Sequence, residues 1–355
     1  MSEQGVVDWR LAERVALALA GEPAPAGSAT EFTPARVRAA CEQATGEVIA
    51  YTRLDPAGAV PGGEWVGRGE WVRSALLSLR EMSRPIEERL ASGLRLPGPL
   101  GGVARRVAGA AAGAEAGGAV GLGGRRVLGQ FEVSMTDSER APRLLLVGPN
   151  LAGAHAEVGG DGDAFLRWIA THEVTHAVQF TATPWLRDHL RRELEGLLES
   201  AAQGLDRSDL AALARRLLTT DPRRTLKGLL RGELATALAG PAQRERLDRL
   251  QAVMTTVEGY AEHVMDEADS GRRPERALLR ARIEDLRRSR GGLGEVVVRL
   301  LGMELKLRQY RLGKEFCDAV VAEAGIESLN RVWASPEALP TPDELEDPSR
   351  WLTRA

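Results

Sequence analysis

Histidine and cysteine are both scarce in this 355-residue chain, and each scarcity narrows its chemistry. There are five histidines, His155, His172, His176, His189 and His263, and two cysteines, Cys41 and Cys317. The cysteines stand far apart and match no C-x-x-C or zinc-ribbon spacing, so they read as reduced thiols of a cytosolic protein. Strong charge of one sign is also missing. A net charge of −3 gives no electrostatic case for nucleic acid or an anionic membrane as partner. The opening residues, MSEQGVVDWR, hold no apolar signal core, so the expected location is cytoplasmic. No G-x-x-x-x-G-K-[ST] phosphate loop occurs, and no repeat at solenoid periods.

Residues 96–124 come nearest to a membrane segment, being dense in Gly and Ala. Arg105, Arg106 and Glu115 argue against a span, because a charge at mid-bilayer costs about 2.5–3.5 kcal/mol on insertion scales. A small-residue helix packed close against its neighbours is predicted instead. The remaining composition, 43% hydrophobic and 27% charged, is that of a soluble globular protein with one large domain or two intimate ones.

Helical periodicity dominates. Residues 7–20 form an amphipathic pattern, Thr33-Pro34 opens a second helix as cap and first turn, and residues 69–92 form a third, bent or divided near Pro85. Strand signals are confined to 127–135 and 143–147, which flank a polar turn at 136–140. After the break at Gly159-Gly160, Asp161 or Asp163 caps a helix running to about Thr181. From Trp185 the helical segments are 185–203, 207–219, 223–239, 241–270, 272–290, 293–325 and 327–333, followed by a proline-rich tail read as irregular, with Trp351 and Leu352 as its anchors. The expected class is therefore α+β, predominantly helical, with a small sheet just ahead of the helix that runs to about Thr181. An N-terminal helical region, 1–125, precedes a region carrying the chemistry, 126–355.

That chemistry lies at residues 170–180, ATHEVTHAVQF, an H-E-x-x-H pattern formed by His172, Glu173 and His176. Positions four apart share a helix face, so two imidazoles can grip one ion such as zinc. Glu173 is placed to act as general base. Apolar flanks and uncharged Thr171 and Thr175 suit a helix buried on most sides. A catalytic zinc needs a third protein ligand. A third histidine six residues after His176, preceded by glycine, is excluded because Gln179 and Ala182 stand at those positions. The other layout takes a glutamate from a later helix, and 253–269, VMTTVEGYAEHVMDEAD, offers one. Glu258 as ligand with Glu262 bracing a histidine is favoured, since Gly259 permits close approach to the metal helix. A frame shifted by four residues makes Glu262 the ligand and Asp266 the brace, and His263 is a rival third ligand. Tyr260 and Tyr310 are candidate oxyanion donors. Tyr310 is preferred because Tyr260 falls near the opposite side of the helix from Glu258.

At VDWRLAERVA, RRVLGQFEVSM, FLRWIATHEVTHAVQF, VEGYAEHVMD and KLRQYRLGKEFCDAV the chain resembles bacterial zincin-like metalloproteases or hydrolases, one branch of which is associated with deazaflavin-coenzyme biosynthesis. The resemblance runs over 7–353. It implies a zincin-like fold, His172 and His176 as zinc ligands, Glu173 as base, Glu258 as third ligand and an acid at the place of Glu262. The site would then be gluzincin-like, with hydrolysis of a peptide or amide bond as the activity and a peptide or protein as partner. A catalytically silent zincin-fold scaffold is the alternative, and the intact Glu173 speaks against it. The arginine-rich run 272–290 interleaves its arginines with Glu275, Glu284 and Asp285, so it reads as a salt-bridged helix rather than a nucleic-acid surface.

Overall fold

Arg143–Val147 reads RLLLV, and its last four residues are fully buried, the signature of a strand covered on both faces. This strand, β3, is the centre of a three-stranded sheet in the computed structural model, which describes residues 6–21, 31–93, 99–204, 241–268, 278–283 and 303–354. On one side β1 (Gly63–Val66) runs parallel to it, with Gly63 opposite Leu144. On the other side β2 (Gly129–Glu132) runs antiparallel, with Gly129 opposite Leu146. The expected small sheet is present, and β1 is its unanticipated third strand. The candidate helices at 207–219 and 223–239, and most of 272–302, lie outside the described residues.

Alternation along β3 divides the interior. Leu145 and Val147 face a layer made by α1 (Trp9–Ala20) and α3 (Arg68–Gly93), where they join Ala12, Ala16, Trp71 and Val72. Helix α4 (Pro99–Gly123) lies against α1 with the backbones in contact. A Cβ on Gly113, Gly117 or Gly121 would come within 2.3, 2.3 and 2.7 Å of the carbonyls of Asp8, Ala12 and Ala16. The glycine-rich stretch is thus the packed helix expected from its sequence. Pro85 sits within α3, which continues through it.

Leu144 and Leu146 face the opposite layer. Here lie α2 (Pro34–Thr52), capped by Thr33, then α5 (Gly148–Val158) and α6 (Gly162–Ala182), with α7 (Pro184–Gly204) following. Asp161 caps α6 through Ala164 N at 2.7 Å. Thr171 and Thr175 return their hydroxyls to the carbonyls of Arg167 and Thr171, which satisfies them inside a buried helix. Two further long helices close this side, α8 (Pro241–Glu267) and α9 (Met303–Leu329), the latter kinked at Gly325 with φ 81°.

Helices α8 and α9 cross at glycine. A Cβ on Gly259 would meet Gly313 at 2.1 Å, and one on Gly313 would meet the Thr255 carbonyl at 2.1 Å. Gly259 therefore gives close approach to α9, not to the metal helix as the sequence suggested. Because those contacts are backbone, Gly313→Ala must push the helices apart. A loss of about 1–3 kcal/mol is expected, read as a lower urea midpoint at unchanged slope.

The tail is more regular than its prolines suggest. Thr341 forms a capping box with Glu344 at the start of α10 (Pro342–Glu346), and α11 (Pro348–Arg354) follows. Pro342 and Pro348 each fall at the first helical position, where the missing N–H costs nothing. Trp351 anchors the tail as expected: it is fully buried, edge-on to Phe316, and donates to the Ala338 carbonyl at 2.8 Å.

Candidate metal centre

Helix α6 presents His172 and His176 on one face, and α8 brings Glu258 against them. His172 Nε2 and His176 Nε2 are 3.1 Å apart, and Glu258 Oε2 lies 3.5 and 3.4 Å from them. An ion bound tetrahedrally at about 2.0–2.1 Å requires donor–donor edges of about 3.3–3.4 Å, so the triangle has the dimensions of a zinc-sized site. Glu258 Oε2 is buried and makes no hydrogen bond, its charge being met by the two imidazoles that would share an ion with it. Among the described residues this is the cluster of His, Cys, Asp and Glu with metal-ligand spacing.

Electrostatics follow from the crowding. Burial opposes the Glu258 charge, yet His176 and His172 hold its carboxyl well below the ordinary range. Burial would lower His176, but the Glu258 carboxylate outweighs it and lifts the imidazole to about 9. In the metal-free chain this raised value means that the proton's contribution to stability is present below about pH 6.5 and is lost as pH rises through 9. A metal must displace that proton. Affinity is thus expected to rise about tenfold per pH unit from 7 to 9 and then to level off, measured by chelator competition; a flat profile would contradict the assignment.

Glu173 lies beneath β2. Its Oε2 accepts the Phe131 N–H at 3.0 Å, and burial raises its carboxyl above the usual range against the pull of His172 and His176. The side chain rests on Gly129, where a Cβ would stand 2.6 Å from Glu173 Cγ and 3.1 Å from Oε1. Gly129→Ala is therefore expected to displace the carboxylate and depress hydrolysis at least tenfold while metal content is unchanged.

Other expected site residues fall elsewhere. Glu262 does not brace a histidine: one turn beyond Glu258, its Oε2 accepts from Arg280 Nη1 at 2.6 Å, and Arg280 also binds Asp266 at 2.9 Å. The second ring nitrogens meet different groups. His172 Nδ1 faces Met265 Sδ at 3.1 Å, and His176 Nδ1 faces Gln179 Oε1 at 3.0 Å. His263 lies off the cluster, held between Tyr51 OH at 2.6 Å and Asp318 Oδ1 at 2.7 Å. Tyr260 is fully buried and donates to Asn330. The Tyr310 side chain lies outside the described residues. His155 bonds Glu31 and the Gly160 carbonyl, and His189 packs edge-on to Trp185. Both cysteines are free and buried, and burial pushes the Cys41 thiol up to about 12.

His176 and Glu258 open on a cleft of about 280 Å³. One wall is the edge strand β2 and the chain after it, residues 130–136; Met82, Phe180, Leu190 and Met254 line the rest. The wall is pinned from behind, since Arg187 donates to the carbonyls of Ser134 and Asp137 at 2.6 Å and Arg140 pairs with Glu81.

A predominantly helical α+β body, with a small sheet edging a half-buried His-His-Glu set beside a second carboxylate, carries the donor set expected of a metal-dependent hydrolase. The chain belongs to the zincin-like metallopeptidase family, whose profile matches residues 7–352. It is similar to a crystal structure from Chloroflexus aurantiacus described as "a putative hydrolase with a novel fold", at 29% identity and a TM-score of 0.68 over 98% of each chain. Among curated proteins none matches. Among the described residues no helix is long and apolar enough to cross a membrane.

Proposed function

We propose that the protein is a cytoplasmic zinc hydrolase that cleaves peptide or related amide bonds, with His172, His176 and Glu258 as ligands and Glu173 as general base. The observation that carries this reading is the three-donor triangle, closed by a buried carboxylate oxygen that has no hydrogen bond. A zinc ion there would supply Lewis acidity to the substrate carbonyl and to the attacking water. Glu173 takes the proton from that water as its oxygen attacks the carbonyl carbon, and returns it to the leaving nitrogen as the C–N bond breaks. Burial suits Glu173 to this, because a carboxyl raised above its usual range accepts a proton more readily. The edge strand β2 walls the cleft and suits an extended chain laid along it. Tyr310 is retained as the candidate donor to the developing oxyanion.

The test pairs elemental analysis with digestion of a peptide library read by mass spectrometry. One zinc per chain is expected, together with new peptide termini that vanish under a chelator and return with added zinc. Chelator-insensitive cleavage, or protein purified from zinc-supplemented medium without zinc, would overturn the reading.

A further inference from the structure

The two helices that supply the ligands are about eighty residues apart in sequence, so something must hold them at one height and turn the imidazoles the right way. Gln179 is placed to do both. It is fully buried on α6, three residues beyond His176 and therefore on the same face. Its Nε2 donates to the Val257 carbonyl on α8 at 3.0 Å, and its Oε1 lies 3.0 Å from His176 Nδ1.

The orientation of the amide is forced. A backbone carbonyl only accepts, so the NH2 end must face Val257 and the oxygen must face the imidazole. The oxygen in turn only accepts, so His176 Nδ1 must carry a proton. In the neutral ring this leaves the lone pair on Nε2, the atom 3.4 Å from Glu258 Oε2 and 3.1 Å from His172 Nε2. His172 has no equivalent, since Met265 sulfur is a weak acceptor. Val257 is also the residue before Glu258, so one side chain couples the tautomer of a ligand on α6 to the position of a ligand on α8.

We propose that Gln179 is a positioning residue that fixes His176 in the Nδ1–H tautomer, its bond to the Val257 carbonyl serving to orient the amide. The role rests on the metal-site reading above, and it was invisible from the sequence, where Gln179 served only to exclude a glycine.

Two variants separate tautomer control from simple helix bridging. Gln179→Leu removes both bonds, whereas Gln179→Glu keeps an acceptor for Nδ1–H and loses the donor to Val257. Two readouts apply. The His176 Nδ1–H resonance and its exchange rate are observable by NMR with or without metal, and zinc affinity is measured by chelator competition. Expected are a protected ring proton in the wild type, its loss in Gln179→Leu and its return in Gln179→Glu. Zinc affinity should fall about 10–100-fold in Gln179→Leu and recover largely in Gln179→Glu. The proposal is overturned by a ring proton equally exposed in wild type and Gln179→Leu, by unchanged zinc affinity in Gln179→Leu, or by Gln179→Glu binding as weakly as Gln179→Leu. If the wild type takes up no zinc, the proposed activity falls, and the ring-proton comparison, made above the pH at which the metal-free imidazole becomes neutral, still decides whether Gln179 sets the tautomer.

Discussion

Glu258→Ala is expected to strip the metal while leaving the chain folded. The carboxylate is the one anionic donor in the triangle and the only ligand from α8, so its loss leaves two imidazoles on a single helix face. The fall in zinc affinity should exceed the 10–100-fold that loss of an outer-shell partner costs at about two orders of magnitude or less. Folding should survive, because His176 can shed its proton once the carboxylate is gone, so no unpaired buried charge is left behind. His176 loses the neighbour that lifts it, so the metal-free variant also loses the proton-linked stabilisation that wild type keeps up to about pH 9. The matched control is Glu262→Ala. It should retain full zinc and cost about 1–2 kcal/mol by stranding Arg280, which keeps Asp266 and some solvent. Elemental analysis of the pair decides between the two frames. Full zinc in Glu258→Ala, or loss only in Glu262→Ala, would move the ligand by one helical turn.

Short-range patterns told the truth wherever the physics was short-ranged. The i, i+4 histidines, the Asp161 cap, the buried RLLLV strand and the glycine-rich packing helix each depend on residues within a turn or a pleat. The errors share the opposite property. β1 is four residues, GEWV, and it is a strand because a parallel partner some eighty residues later accepts it. Helix α5, GPNLAGAHAEV, is not among the elements the sequence predicts; it opens with Gly-Pro-Asn, and all three of those residues are buried. Glu262 shares a face with Glu258, but its partner is chosen by Arg280, which the sequence could not place. Gly259 was correctly read as a point of close approach, with the wrong neighbour, for the same reason. Gln179 illustrates the limit most sharply. Its donor and acceptor are known from its identity, yet what they bind is settled only when α8 arrives.

Glu173→Gln should separate catalysis from binding. Gln is nearly isosteric, its amide oxygen can still accept the Phe131 N–H, and it fits above Gly129 as the carboxylate does. Zinc content is therefore expected to stay at the wild-type level. What disappears is the ability to take a proton, and general-base catalysis is worth about 10²–10⁴-fold, so kcat should fall by that amount with KM little changed. The pH profile should change as well. If Glu173 is the base, wild-type activity needs it ionised, so kcat/KM falls as pH drops through the ionisation of that carboxyl, which burial raises in the metal-free chain. The residual activity of Glu173→Gln should lack this limb, because no proton remains to be lost at that site. Stability should hold or rise, since the substitution removes a buried charge beside Glu258. If Glu173→Gln hydrolyses peptides at the wild-type rate, Glu173 is not the base. If instead wild type and Glu173→Gln are equally inactive on every peptide, and the variant fully supports the cellular phenotype, the protein works as a metal-holding scaffold, and the buried carboxylate under β2 has a structural purpose only.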